Sequence, residues 1–205
     1  MKLPISDFEF SGFEFRGERI MKSKLSQLLI LASLMALLPG CSENKQVASL
    51  KQQLQSDKPG PRHRAAKVLG EMGPEAEDAV PALVKSLKDS DAKVRHYAAR
   101  SLGRIGPGAK DAAPALIEAL KDKDAKVRGA AAQSLGKIGL ETDEAVPSLI
   151  EVLKDKDPKV RREAVMSLAK SGPAAKSAVP ALKKALKDGN REVRDAATIA
   201  LRRIG

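Results

Sequence analysis

Few side chains in this chain have narrow chemistry: one cysteine, Cys41, two histidines, His63 and His96, and one tyrosine, Tyr97. With no second cysteine there is no internal disulfide. The histidines stand 33 residues apart and are followed by Arg64 and Tyr97, not by acids. Two neutral imidazoles without carboxylate neighbours make a poor metal site. No glycine-rich phosphate loop and no His–Ser pairing is present. What remains is basic. Lys93, Arg100, Arg104, Lys126, Lys137 and Lys170 recur around Tyr97 and His96, a combination suited to holding an acidic surface. No cofactor is implied.

Cys41 closes a stretch that reads like the start of a protein, MKSKLSQLLILASLMALLPGC, beginning at Met21. Lys22 and Lys24 precede an apolar run from Leu25 to Leu38 of about fourteen residues, short of the roughly twenty that span a bilayer as a helix. A basic start, a short apolar centre and a small residue before the cut define a secretory signal. The segment Leu38-Pro39-Gly40-Cys41 resembles the lipobox of bacterial lipoproteins, with Pro39 a less usual middle residue. The resemblance implies removal of residues 21–40, lipidation of Cys41 and an anchor in the cell envelope. Ser42 after the cysteine implies the outer membrane, facing the periplasm. The competing reading is a free cysteine behind an uncleaved anchor. Residues 1–20 place four phenylalanines and four acids before the signal and read as an over-called start, disordered, with Met21 the true first residue.

Composition is then counted from Cys41. Residues 1–40 take away five of the 37 basic and four of the 26 acidic residues, so the remaining 165 carry 32 against 22, a net charge near +10. All four phenylalanines leave as well. The core must be built from Ala, Leu, Ile and Val.

That core is written as a repeat, the first thing to seek in a sequence. VPALVKSLKDSDAKVRHYAARSLGRIGPGAKDA starts at Val80, and related units start at a spacing of 33 residues, at Val47, Ala113, Val146 and Val179. Five units, 47–79, 80–112, 113–145, 146–178 and 179–205, follow residues 41–46, the lipidated cysteine and a short tether. Each unit reads as two helices. Val80, Leu83, Val84 and Leu87 make one helical face, with Pro81 near the start, where a missing N–H does least harm. Asp91 caps the second helix; Val94, Ala98, Leu102 and Ile105 form its buried stripe, and Gly106 ends it. Ala98, Ala131, Ala164 and Ala197 form a column of small residues for close helix approach. One such hairpin cannot bury its apolar face alone, so the units must stack into an all-α solenoid.

Residues 47–205 resemble the HEAT repeats, in the short class named after phycobilisome lyases, through P-A-L-x-x-x-L-x-D-x-D-x-x-V-R-x-x-A-A-x-x-L-G-x-I-G. The resemblance implies a right-handed α-solenoid of five 33-residue helical hairpins. Val84, Ile117 and Ile150 form an apolar column that ends in Lys51 and Lys183, the polar faces solenoid ends require. Enzymes in this superfamily set a test. Di-iron hydroxylases place His-Glu pairs just after the repeat arginine, where this chain has His63-Arg64 and His96-Tyr97. Glycosylases need aromatic surfaces against an unstacked base, and Tyr97 alone does not make one. Phycobilin lyases act inside the cell, away from an exported lipoprotein. The reading is therefore not an enzyme.

The pairs Asp91/Arg95, Asp124/Arg128 and Asp157/Arg161, with Arg194 after Asn190, read as a structural ladder. The aspartate caps its helix, and the arginine pairs with its own or a neighbouring unit's aspartate. Positions 93, 97, 100 and 104 share the other side of the second helix, which lines the concave surface in HEAT solenoids. The expected function is a lipid-anchored envelope adaptor that binds a protein with an acidic surface there. Alternatives are a non-catalytic accessory subunit of an envelope enzyme complex or, further off, a phycobilin-lyase-like enzyme. Export and the lack of aromatics argue against nucleic acid.

Overall fold

The computed structural model describes residues 39–139 and 144–205, with side chains from residue 45 onward. The leader 1–20 and the apolar signal up to residue 38 lie outside the described residues, and of Cys41 only the backbone is described. Asn44–Gly205 cluster as one unit.

This unit is built from helix pairs. The first members are α1 (Pro39–Gln53), α3 (Val80–Ser86), α5 (Ala113–Ala119), α7 (Ala145–Val152) and α9 (Val179–Ala185). The second members are α2 (Pro59–Met72), α4 (Ala92–Ile105), α6 (Ala125–Ile138), α8 (Pro158–Lys170) and α10 (Arg191–Ile204). The second members start at 59, 92, 125, 158 and 191, the 33-residue period of the sequence. The segment expected to be a tether, 41–46, is helical, since α1 begins at Pro39.

Local chemistry fixes the boundaries. Asp91 and Asp124 each accept two backbone N–H bonds from the first turn of α4 and α6, Asp157 accepts from Lys159 N, and Asn190 accepts from Val193 N. α2 lacks a side-chain cap and opens on Pro59, whose missing N–H needs none. Gly73, Gly106, Gly139 and Gly172, with φ of 64°, 78°, 100° and 52°, end or follow the second helices in a conformation other residues resist. Three of them open a 3-10 segment, Gly73–Ala79, Gly106–Ala112 and Gly172–Ala178, that leads into the next unit. The two-helix reading of the sequence did not include these segments. Each has a proline right after its glycine, at the end where no helical N–H is lost.

Each second helix packs on the next, α2 on α4, α4 on α6, α6 on α8 and α8 on α10, while the first helices cover them from one side. Leu83, Leu116, Leu149 and Leu182 from the first helices and Leu69, Leu102, Leu135 and Leu168 from the second belong to one core and are all fully buried. The alanine column 98, 131, 164 and 197 is fully buried as well. Lys183 at the end of the apolar column is exposed and Lys51 half-buried.

Two further devices lock neighbours together. Ser101, Ser134 and Ser167 are buried, and their hydroxyls donate at 2.7 Å to the carbonyls of Ala66, Ala99 and Ala132 in the preceding unit. Gly70, Gly103 and Gly136 face these serines so closely that an added Cβ would meet the serine Cα at 2.9, 2.8 and 2.7 Å. The glycine makes room and the hydroxyl uses it.

The second device is an arginine ladder. Arg62, Arg95, Arg128 and Arg161 each form a two-pronged bond to Asp89, Asp122, Asp155 and Asp188 of the following unit, with Nε–Oδ2 distances of 2.7, 2.7, 2.6 and 2.8 Å. The aspartates two residues later, Asp91, Asp124 and Asp157, are not the partners, because their carboxylates are occupied as helix caps. Each ladder arginine also donates to carbonyls of the loop before its own helix, as Arg95 does to Asp89 O and Ser90 O. Arg194, in the last unit, makes only such carbonyl contacts, to Asp188 O and Gly189 O.

Candidate protein-binding face

The side of the second helices opposite the first helices carries the residues singled out by sequence. On α4, Lys93, Arg100 and Arg104 are exposed and Tyr97 and His96 half-buried; Lys126 and Lys137 on α6 and Lys170 on α8 are exposed. One helical period puts them there: 93, 97, 100 and 104 lie on one face, and the 33-residue repeat copies that face to the next helix.

Tyr97 is held between two imidazoles. His63, one unit earlier, stacks on it with ring centres 5.8 Å apart and planes 21° apart. His96 meets it edge-on at 5.4 Å and 65°. His96 Nδ1 lies 3.1 Å from the carbonyl oxygen of Lys126 in the following unit. The two histidines, examined by sequence as metal ligands, thus pack around the tyrosine and connect three units. His63 was missed as a neighbour of Tyr97; the signal was its 33-residue offset from His96, which sets it beside position 97 across one repeat. Among the described residues, no three His, Cys, Asp or Glu side chains group to hold a metal. A cleft of about 530 Å³ opens beside this cluster, walled by His63, Lys93, His96, Tyr97 and Lys126 together with the helix-capping Asp91 and Asp124.

Arg104 and Lys137 lie one unit apart, Lys170 one unit further on. Their charges are close enough to act on each other: partial burial, then the positive charges of Lys170, Arg104 and Arg100, hold Lys137 below the ordinary lysine value, against a weaker opposing pull from Glu163. Among the described residues, Lys93, Arg100, Arg104, Lys126, Lys137 and Lys170 form no ion pair. Arg62, Arg95, Arg128 and Arg161, by contrast, are each engaged with an aspartate. The face therefore holds an excess of cations without ion-pair partners among the described residues, around one aromatic cluster.

A model of HEAT repeats matches residues 47–136, 80–169 and 146–205. The chain belongs to the HEAT-repeat family, and its fold is an all-α solenoid. No curated protein sequence matches it. Among solved structures it is similar to an engineered protein at 28% identity and a TM-score of 0.64, over 77% of this chain and 78% of that one. It is also similar to the complex of CpcE and CpcF of phycocyanin lyase from Nostoc sp. PCC7120, at 29% identity and a TM-score of 0.66, over 76% of this chain and 63% of that one. The match thus spans less than two thirds of the lyase chain. A designed armadillo-repeat protein in complex with a (KR)4 peptide shares the fold, at 21% identity and a TM-score of 0.65, over 93% of this chain and 95% of that one. Among the described residues, no helix is long and apolar enough to cross a membrane.

Proposed function

We propose that this protein is a non-catalytic scaffold that binds a partner protein with an acidic surface through the second-helix face, and that Cys41 anchors it by lipid to the cell envelope. The observation that carries the binding reading is the contrast in charge use: Arg62, Arg95, Arg128 and Arg161 are each paired with an aspartate, while among the described residues the cations around Tyr97 form no ion pair. Unpaired charge on a surface favours an oppositely charged partner by speeding encounter and fixing register. Tyrosine and arginine are the residues most often found at interface hot spots. Tyr97 comes already ordered by His63 and His96, so docking against it costs little side-chain freedom. The designed armadillo relative shows a repeat solenoid of this fold with a peptide bound; there the peptide is basic, here the face is.

The double variant Tyr97→Ala, Arg100→Glu tests this. Partner capture after mild crosslinking in the native cell disappears, while helix content and unfolding midpoint stay near wild type. Undiminished capture moves the site elsewhere, with the apolar stretch around Met166 and Ile199 the next to be tested. The anchor has its own test: Cys41→Ser leaves the protein soluble or unprocessed, and persistence in membranes through high-salt washing would show that lipid does not hold it.

A second reading is a fixed accessory subunit of an envelope enzyme. It is favoured by the similarity to a lyase complex of two chains, CpcE and CpcF. The same crosslinking separates the two, since a subunit copurifies in constant ratio with one enzyme.

A further inference from the structure

The second-helix face is not uniform. Along the unit-to-unit columns, positions 63, 96, 129, 162 and 195 read His, His, Gly, Arg, Asp, and positions 64, 97, 130, 163 and 196 read Arg, Tyr, Ala, Glu, Ala. In the third unit both positions are small, Gly129 and Ala130. The ridge made by His96 and Tyr97 on one side and Arg162 and Glu163 on the other is therefore interrupted at the middle of the face. A notch of about 270 Å³ lies there. A Cβ added at Gly129 would meet only Val160 Cγ2, at 3.8 Å, so the backbone does not need this glycine for close packing.

The notch has an apolar floor, Ala125, Gly129, Ala130 and Val160, and a polar rim with Arg100, Lys126 and Lys159. Its two acids are already engaged. Asp157 caps α8 through Lys159 N at 2.8 Å, and Glu163 accepts from Arg162 at 2.7 Å and from Gln133 at 3.2 Å. Among the described residues the three cations have no carboxylate partner. Its volume lies below the roughly 300–1,000 Å³ of small-molecule sites and suits one side chain. A short apolar stem with an anionic tip fits floor and rim together.

We propose that this notch receives a glutamate side chain of an extended acidic peptide segment of the partner, lying across the second helices. The inference rests on the binding reading above and adds its anchor point and register. Neighbouring helix axes are about 8–10 Å apart, and an extended chain rises about 3.3 Å per residue. Every third residue of such a segment thus comes level with a new unit. Lys93, Lys126 and Lys159 repeat at that pitch, all exposed, with Lys126 and Lys159 on the notch itself, and face an acid at every third position.

The test uses the full chain in detergent and a fluorescent peptide with glutamate at every third position, long enough to cross four units. Anisotropy measures binding. Wild type binds it, and binds a peptide of the same composition with its glutamates clustered at one end more weakly. Gly129→Leu fills the notch without changing any charge and weakens binding by about tenfold or more, while its unfolding midpoint is equal to or above wild type, because leucine is the better helix former. Gly129→Ala leaves room and binds like wild type. Lys159→Glu, on the rim, weakens binding whether or not Gly129→Leu folds. If Gly129→Leu binds normally and Arg100→Glu does not, the notch is wrong and the basic face stands. If neither variant loses binding, both fail. No binding by wild type, equal binding of the clustered peptide, or displacement by a single-stranded oligonucleotide at lower concentration than the peptide each overturns the proposal.

Discussion

The guanidinium of Arg95 grips the carboxylate of Asp122, 27 residues later and one unit on, through Nε–Oδ2 at 2.7 Å and Nη2–Oδ1 at 3.0 Å. The same arginine donates backwards to the loop carbonyls of its own unit. One side chain thus ties two loops together, and repetition of the contact makes a continuous seam. Both partners are nearly buried, at 7% and 11% side-chain exposure, so water does not replace either one.

Removing an arginine should therefore cost more inside the array than at its end. Arg95→Ala leaves Asp122 charged and poorly solvated, a loss on the order of 3 kcal/mol. Arg194→Ala removes only hydrogen bonds to carbonyls, about 1 kcal/mol. Urea unfolding of both variants measures the difference; equal losses would mean that the seam carries no stability of its own.

The seam also sets an acid limit. Burial pushes the carboxyl of Asp122 up. The bond from Arg95, the N–H of Asp124 and the charges of Arg95 and Lys123 outweigh that and hold it below the usual aspartate value. Asp89 and Asp155 follow the same balance, with Arg62 and Arg128. In Asp188 the Arg161 bond is the largest influence and burial the next. A carboxyl depressed in the folded state contributes stability that is full above its unfolded value, about 3.9, and is lost as pH falls through the folded one. The melting temperature should show no ladder contribution to its change between pH 7 and 5 and should drop below about pH 4. Asp122→Asn should be less stable at neutral pH and show a smaller acid drop.

The solenoid and its period were legible because a repeat states the same fact again and again: apolar positions and terminal glycine recur in register, and the cap recurs at Asp91, Asp124, Asp157 and Asn190. The seam was only half legible. The motif D-x-D-x-x-V-R places two aspartates before Arg95, Arg128 and Arg161, and either could pair with an arginine; the loop turns Asp91 onto the backbone N–H groups of α4 and leaves Asp89 to face Arg62 of the preceding unit. The seating of Ser134 against Gly103 depends on how two helices cross, which no single-helix pattern contains. The cations around Tyr97 were visible by helical spacing, but the stack on His63 and the gap at Gly129 appear only when three helices are set side by side.

The glycine column offers a sharp packing test. Gly136→Ala would improve helix propensity by up to about 1 kcal/mol on an isolated helix. Here the new methyl would meet Ser167 Cα at 2.7 Å, and backbone cannot rotate away as a side chain does. The helices must part, at a cost of about 1–3 kcal/mol. A melting temperature below wild type confirms that α6 and α8 are in contact at this point, whereas a rise would show that the interface has room.

Position along the array should decide how damage spreads. Leu135 on α6 is fully buried between neighbours on both sides, while Leu201 on α10 is half-buried in the last unit. A solenoid is stabilised by nearest-neighbour interfaces, so a defect in the middle weakens two of them and a defect at the end weakens one. Leu135→Ala leaves a cavity that the packed leucines around it cannot close, a loss on the order of 2–5 kcal/mol, and it should lower the whole unfolding transition. Leu201→Ala should instead broaden the transition, with α10 fraying first. Hydrogen exchange distinguishes the two: faster exchange confined to α9 and α10 is expected for Leu201→Ala, and exchange rising through α4, α6 and α8 together for Leu135→Ala. Uniform loss of protection in both variants would mean that the units unfold as a single globular core and not as a linear array.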